Sequence, residues 1–204
     1  MAFTYFFRDM HVLDLAVRHL VPYASGRSRV RIWDAGCAMG PEPYSLAIML
    51  AESMGRFGFR NVSIIASDID ESGGFDKIIA EGVYPEEPLS RIPEDIFKKY
   101  FQPNGRPGFF RIDENIKKSV SFMRHDLLSL KPIGDDFSLI ICKNVLLHFQ
   151  PAERVEVIRM FHRSLAHDGL FVTEQTQKMP EEAAHLFEQV VSDGQVHRKV
   201  EGGR

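Results

Sequence analysis

Cysteine is scarce in this sequence, and the two that occur form no recognisable pattern. Cys37 and Cys142 lie far apart inside apolar runs, without the C-x-x-C spacing of a redox or metal site. The first residues, "MAFTYFFRDMHVLDL", carry charges too early for a signal peptide. We therefore expect no disulfide framework and no metal site, and the cytoplasm as the compartment.

Long hydrophobic runs, a strong charge excess and internal repeats are also missing. No apolar run approaches the roughly 18 to 20 residues that cross a bilayer. Lys and Arg number 25 against 28 Asp and Glu, a formal net charge of -3, so no broad positive field is available for nucleic acid. With 44% hydrophobic residues, the 204-residue chain can bury one sizeable core. The composition predicts a single domain over residues 1–204 that does not bind nucleic acid.

What the sequence does contain is an alternation of strand and helix signals. Five apolar runs have strand character: "RVRIWDA", "VSIIASDID", "KKSVSFMRHDLL", "FSLIICKN" and "GLFVTEQ". Helical spacing follows the first run in "PYSLAIMLAESMG", and "PAERVEVIRMFHRSLAHDG" predicts a helix that begins at proline and ends at glycine. The order predicts an α/β fold with a largely parallel sheet covered on both faces. The C-terminal "HLFEQVVSDGQVHRKV" predicts an antiparallel edge hairpin.

One segment interrupts this alternation. Residues 82–116 contain five of the eleven prolines, too many for a crossover helix. A short helix over residues 93–100 and a turn at Asn104-Gly105, followed by "FFRI", are expected within it. We interpret residues 82–120 as a small β-subdomain inserted after the second strand.

Small residues occupy the bend after the first predicted strand. Asp34, Gly36, Ala38 and Gly40 form the pattern D-x-G-x-A-x-G, in which small side chains let backbone amides approach a ligand. In an α/β sheet, ligands bind outside the carboxyl ends of the strands, and this first turn is the usual place. The pattern alone fits a dinucleotide, a flavin, S-adenosylmethionine (SAM), or merely tight packing.

Two carboxylates narrow the choice of ligand. Asp68, at the end of the second strand, stands where a carboxylate accepts both hydroxyls of a ribose, although it could also only cap the following backbone. Glu42 follows the glycines directly. A carboxylate at a helix N-terminus repels a pyrophosphate but suits the ammonium and sulfonium groups of SAM. The pair therefore favours SAM over NAD.

At this point the sequence resembles a known family. The segments "FTYFFRD", "WDAGCAMGPEPYSLAIML", "ASDID", "EGVY", "RHDLL", "CKNVLLHF" and "HDGLFVTEQTQ" together are similar to the CheR family of bacterial chemotaxis. The run P-E-P-Y-S-L-A on the glycine turn, with S-D-I-D downstream, is its most specific part, and the resemblance extends from about Thr4 to Lys199. Members are SAM-dependent protein-glutamate methyltransferases.

The resemblance implies a fold, a cofactor and a partner. It implies a Rossmann-like SAM-dependent methyltransferase fold, with SAM as cofactor and S-adenosylhomocysteine (SAH) as product. It also implies a methyl-accepting, chemoreceptor-like protein as substrate, with a membrane involved only indirectly through the receptor. In some members the inserted β-subdomain docks receptors.

The resemblance further assigns individual residues. In addition to Asp34, Gly36 and Gly40 of the turn, it implies that Thr4 and Arg8 lie at the edge of the cofactor and active site, Glu42 at the methionine end, Asp68 on the ribose, Asp126 and Leu127 beside the adenine, and Lys143 and Asn144 beside the methionine portion and the entrance. Without the family, Arg8 could be a solvated helix residue, Asp126 a turn acid and Asn144 a turn former.

The sequence departs from the family at several places. Members usually have arginine in place of Lys143 and tyrosine in place of His148, and often G-H-S-E where residues 174–177 read E-Q-T-Q. They also normally carry a helical domain before the T-x-F-F-R segment, whereas this sequence begins almost on that segment. Either a domain was trimmed or this is a minimal member.

The implied chemistry needs little from the protein. A glutamate carboxylate is an anion at neutral pH, so it needs no general base, and catalysis is mainly positioning. Arg8 is expected to hold the carboxylate as a bidentate fork, and His148 to donate one hydrogen bond to it, although His148 could simply be a half-buried loop residue. Two other functions stay open: a methyltransferase for another, small-molecule acceptor, and an inactive SAM-binding regulatory module.

Overall fold

The structure of the protein is a computed structural model that describes residues 4–201. Its strands are β1 (Val30–Ala35), β2 (Val62–Asp68), β3 (Val83–Pro85), β4 (Phe101–Pro103), β5 (Phe109–Ile112), β6 (Val120–Arg124), β7 (Phe137–Ile141), β8 (Leu165–Val172), β9 (Phe187–Gln189) and β10 (Val196–Lys199). Its helices are α1 (Met10–Ala24), α2 (Pro41–Phe59), α3 (Phe75–Glu81), α4 (Glu94–Tyr100), α5 (Glu114–Lys118), α6 (Pro151–Ser164) and α7 (Glu181–Ala184).

Seven strands form the main sheet in the order β6-β2-β1-β7-β8-β10-β9. The pairs β6–β2, β2–β1, β1–β7 and β7–β8 are parallel, whereas β10 is antiparallel to both of its neighbours. This confirms the predicted α/β fold with a mostly parallel sheet and an antiparallel C-terminal hairpin at one edge. The carboxyl ends of β1, β2, β6 and β7 therefore meet along one side of the sheet.

A second, three-stranded sheet has the order β3-β5-β4, and both of its pairs are antiparallel. It lies within the segment where the prolines interrupt the alternation, and α4 begins one residue after the predicted start of the short helix. Phe6 joins this sheet to the N-terminal segment, because its ring packs edge-on against Tyr84 and Phe101 at 5.0 and 5.3 Å.

The sheet separates two apolar cores. Val30 and Ile32 of β1 belong to the core that α1 and α2 cover, whereas Trp33 belongs to the core that α6 covers. Successive side chains of a strand point to opposite faces. Asp34 therefore shares the face of Ile32, on the side of α2. Trp33 is fully buried, and its indole N–H donates a 2.8 Å hydrogen bond to the Ser67 hydroxyl on β2.

Two helices end differently from the prediction. The predicted stop of α6 at Gly169 is wrong, because the helix ends at Ser164 and the chain becomes extended at Leu165, the first residue of β8. Gly169 lies inside β8, where a Cβ atom would come within 2.8 Å of the Phe137 carbonyl oxygen. In α2, Gly55 adopts φ 67° and kinks the helix, which continues to Phe59. Within residues 4–201, no helix is long and apolar enough to span a bilayer.

Candidate functional site

A cleft of about 660 Å³ opens at the carboxyl ends of the parallel strands. That volume lies within the range of pockets that hold cofactors. Ten of the twelve predicted site residues line it: Thr4, Arg8, Gly36, Glu42, Asp68, Asp126, Leu127, Lys143, Asn144 and His148. Asp34 and Gly40 do not line it. The cleft thus brings together five segments that are widely separated in the sequence.

The turn between β1 and α2 is held against the end of β2. The backbone N–H groups of Gly36 and Cys37 donate to the Ser67 carbonyl at 2.7 and 3.0 Å. The N–H of Ala38 donates to Asp68 Oδ2 at 2.9 Å, and the N–H of Asp70 donates to Asp68 Oδ1 at 3.2 Å. Asp68 therefore lines the cleft and also fixes the turn, so its carboxylate has a structural task besides the predicted one.

The two glycines of the turn have protein, not open space, where a side chain would lie. A Cβ atom on Gly36, which has φ 104°, would come within 2.1 Å of a methyl group of Val145. On Gly40, with φ 99°, it would come within 2.7 Å of both Ile79 and the Tyr84 hydroxyl. Close packing and positive φ thus require both glycines. Gly36 still presents its backbone to the cleft, whereas Gly40 lies behind it at the start of α2.

Asp34 lies beneath the cleft and is completely buried. Neither of its carboxylate oxygens has a hydrogen-bond partner in the part of the chain that the structure describes. Burial raises the pKa of Asp34 well above its usual value, the carboxylate of Glu42 raises it further, and the ammonium group of Lys143 opposes this. Buried polar groups in proteins normally have a hydrogen-bond partner, so the Asp34 carboxyl group is an exception.

Glu42 and Lys143 form a buried ion pair at the start of α2. Lys143 Nζ lies 2.8 Å from Glu42 Oε2, and the lysine side chain is completely buried. Lys143 also donates to the Arg8 carbonyl at 3.2 Å and lies 3.7 Å from Asp9 Oδ2. The positive charge of Lys143 is therefore matched by nearby carboxylates, so the helix start offers no surplus positive charge to an anionic ligand.

The N-terminal segment is held to the end of β7. Arg8 Nη2 donates to Asn144 Oδ1 at 3.2 Å, and Asn144 Nδ2 donates to Asp9 Oδ2 at 3.4 Å. The N–H of Phe7 donates to the Ser45 hydroxyl on α2 at 2.8 Å. Asn144 thus holds the Arg8 side chain at the cleft and Ser45 holds the adjoining backbone, which argues against the solvated-helix interpretation.

Part of the wall of the cleft is apolar. Ile69, Leu128 and Leu147 line it and are 46%, 42% and 49% exposed, among the most exposed large apolar residues of the described chain. Asp126 accepts a 2.9 Å hydrogen bond from the N–H of Leu128, so its carboxylate also shapes the loop that carries this wall. Exposed apolar side chains at a cleft fit a flat aromatic group such as a purine.

Sequence reasoning missed residues around the predicted ones. His125 lines the cleft, and its Nε2 lies 2.8 Å from the Lys131 carbonyl oxygen, so Nε2 carries the hydrogen. Its Nδ1 is then a buried acceptor, with no partner among residues 4–201. Its only signal was its position before Asp126. Burial also raises the pKa of both Cys37 and Cys142, so neither thiol is an available nucleophile.

His148 lies at the opening of the cleft and is exposed. It belongs to a short 3-10 turn, Leu146–His148, that follows β7. The alternative that His148 is half-buried is therefore wrong. The role of His148 toward a substrate stays a prediction. Within residues 4–201, no group of three or more His, Cys, Asp or Glu side chains is arranged to hold a metal ion.

Two curated proteins are similar to this chain over most of its length. The chemotaxis protein methyltransferase of Borreliella burgdorferi is 34% identical over 175 residues, which are 81% of this chain and 60% of that protein. Chemotaxis protein methyltransferase 2 of Pseudomonas aeruginosa is 34% identical over 194 residues, 92% of this chain and 66% of that protein. The chain therefore spans slightly less than two thirds of the length of these relatives.

A solved structure shares the fold. The crystal structure of DszA carbon methyltransferase superimposes with a TM-score of 0.50 at 14% identity, covering 85% of this chain and 37% of that chain. At family level, residues 2–196 match the CheR methyltransferase, SAM binding domain. Since that match covers nearly the whole chain, the chain belongs to the CheR methyltransferase family, as its SAM-binding domain.

Proposed function

We propose that this domain transfers a methyl group from SAM to glutamate side chains of a chemoreceptor-like protein. The convergence of five separated segments on one cleft, with ten of the twelve predicted residues lining it, carries the proposal. Similar proteins named as chemotaxis methyltransferases support the same substrate class. The proposal concerns the activity and partner of the whole protein. The chain spans slightly less than two thirds of the length of its relatives.

The residues of the cleft suit SAM better than a dinucleotide. Glu42 lies in the first turn of α2, where a pyrophosphate would need an uncompensated helix N-terminus. The buried carboxyl group of Asp34 lies behind the same end of the cleft, so it would act on a ligand only through the residues in front of it. Asp68 would hold the ribose, and the wall of Ile69 and Leu128 would cover the adenine. When bound, SAM supplies an activated methyl group on a sulfonium.

The side chains at the opening would orient the acceptor. A substrate carboxylate is already ionised at neutral pH, so no residue must remove a proton from it. Arg8, held by Asn144, would bind that carboxylate through its planar guanidinium, and exposed His148 would donate one more hydrogen bond. Because opposite charges approach and cancel in this reaction, exclusion of water by the apolar side chains favours it. Positioning is then the main contribution of the protein.

A methyl-transfer assay tests the proposal. The domain is incubated with tritiated SAM and the cytoplasmic helical part of a chemoreceptor, and label released as methanol by mild base is counted. We expect base-labile label in the receptor and none in a matched receptor whose acceptor glutamates are replaced by alanine. Label in a small molecule instead would indicate another acceptor, and SAH binding without any transfer would indicate an inactive regulatory module.

A further inference from the structure

Glu174 lies behind the cleft and contacts one of the residues that line it, Asn144. It follows β8 by two positions, is 6% exposed and does not line the cleft. We propose that Glu174 is a positioning residue: it holds the backbone of Asn144, and Asn144 in turn holds the guanidinium of Arg8 at the acceptor end of the cleft. The catalytic part of this inference rests on the proposed function.

The turn that carries Glu174 is locked by its own hydrogen bonds. The N–H of Gln177 donates to the Glu174 carbonyl at 3.0 Å, and the Thr173 hydroxyl donates to the Gln177 carbonyl at 3.0 Å. The N–H of Thr173 donates to the Gln195 carbonyl, which ties the turn to the segment before β10. Thr173 and Gln177 are buried as well. The backbone from which the Glu174 side chain extends is therefore fixed.

The contact to Asn144 fixes an unusual backbone. Glu174 Oε2 accepts a 2.9 Å hydrogen bond from the N–H of Asn144. Asn144 has φ 58°, in the left-handed region that asparagine tolerates and most residues avoid. Without Glu174, this N–H would lose the one hydrogen bond that the structure gives it, and the left-handed conformation would lose its support. Glu174 Oε2 thus stabilises the conformation of the loop that contains Asn144.

The side chain of Asn144 holds the N-terminal segment through two hydrogen bonds. Its Oδ1 accepts from Arg8 Nη2 at 3.2 Å and its Nδ2 donates to Asp9 Oδ2 at 3.4 Å. A side-chain amide makes both contacts only while its backbone stays in place. Since Glu174 contributes an acceptor and not a reacting group, glutamine, which keeps an amide oxygen at the same position, is expected to replace it.

The kinetic test compares Glu174→Ala with Glu174→Gln. We expect Glu174→Ala to lower kcat about ten- to a hundredfold, because misplaced groups lose rate steeply, while the affinity for SAH changes less than twofold. Glu174→Gln should keep most of the activity. In an Arg8→Lys background, Glu174→Ala should cost much less, since the two residues act in sequence. Ser164→Ala, which removes a buried hydrogen bond to the Met160 carbonyl far from the cleft, is the matched control and should keep wild-type kcat.

A second measurement needs no activity. Hydrogen exchange of residues 4–12 should be faster in Glu174→Ala than in wild type, Glu174→Gln and Ser164→Ala. Unchanged exchange in Glu174→Ala would overturn the inference, and so would equal losses of kcat in the alanine and glutamine variants or additive losses with Arg8→Lys. A wild-type domain that transfers no methyl group would contradict the proposed function instead, and hydrogen exchange would still decide whether Glu174 positions this segment.

Discussion

Arg8 lines the cleft and donates through Nη2 to Asn144, so a conservative change can test its role. Arg8→Lys keeps the positive charge but loses the planar pair of donors. We expect methyl transfer to fall at least tenfold, about 1.4 kcal/mol in the barrier, because a single ammonium cannot hold a carboxylate in two places. SAH affinity, measured by calorimetry on cofactor-free protein, should change little.

Two other outcomes would reassign Arg8. Parallel losses in transfer and SAH affinity would indicate that Arg8 contacts the cofactor. No loss in either would contradict a role at the site. Arg18→Lys is the matched control, because Arg18 on α1 is exposed and pairs with Asp14 one helical turn away. It should behave as wild type in both assays.

Asp68 combines a predicted ribose contact with two backbone contacts that the structure adds. Asp68→Ala removes the acceptor for the N–H groups of Ala38 and Asp70 together with any ligand contact. We expect SAH affinity to fall by about 1 to 3 kcal/mol, the usual cost of losing a charged hydrogen-bonding group. Calorimetric titration measures the change, and Asp76→Ala, on the exposed face of α3, is the control. Unchanged affinity with an intact fold would remove Asp68 from the site.

The C-terminal hairpin contains a histidine that folding keeps from water. His197 on β10 is 3% exposed, packs against the rings of Phe171 and Phe187, and has no partner for Nδ1 among residues 4–201. Burial lowers the pKa of His197 below its usual value. The unfolded chain therefore takes up a proton, near pH 6.5, that the folded hairpin resists. This makes the free energy of unfolding fall as the pH drops.

We expect His197→Phe to remove part of that pH dependence. Phenylalanine suits a site beside two phenylalanine rings and does not titrate, so the variant should gain stability relative to wild type as the pH falls from 7.5 to 5.5, by at most about 1.4 kcal/mol per pH unit. Urea unfolding at each pH measures the difference. His162, whose pKa burial also lowers, contributes in the same direction and stays in both proteins. A wild-type slope in His197→Phe would contradict the prediction.

For the whole molecule, the prediction concerns which ligand stabilises it. A ligand that binds only the folded state at a hundred times its dissociation constant stabilises by about 2.7 kcal/mol. In a chain of this size we expect SAH at that concentration to raise the Tm by roughly 5 to 11 °C. NAD should leave it unchanged, because Glu42 lies where a pyrophosphate would bind.

The same thermal experiment has an internal check. Asp68→Ala should reduce the shift with SAH at a fixed concentration, whereas Asp76→Ala should not. A shift with NAD and none with SAH would contradict both the ligand preference and the proposed function. Stabilisation by both ligands would mean that Glu42, already paired with Lys143, does not discriminate between them.

Much of the fold and of the site could be predicted from sequence because the signals are local. Apolar runs of strand length, the proline at the start of α6 and the small residues of the turn at Gly36 act within a few residues. Their order predicted a mostly parallel sheet with an antiparallel hairpin, and the carboxyl ends of its strands indicated where the site residues would meet. Glu42 and Asp68 follow from this pattern, whereas Arg8 and Asn144 are predicted only through the resemblance to the CheR family.

What only the tertiary structure decided depends on contacts between distant segments. No local pattern indicates that Lys143 reaches Glu42 across 101 positions, or that Val145 occupies the space above Gly36. Asp34 and Gly40 share the motif of Gly36 but lie behind the cleft, because strand alternation and the start of α2 direct them inward. Glu174 belongs to the same class: its importance arises from the parallel pairing of β7 with β8, which brings two loop residues thirty positions apart within one hydrogen bond.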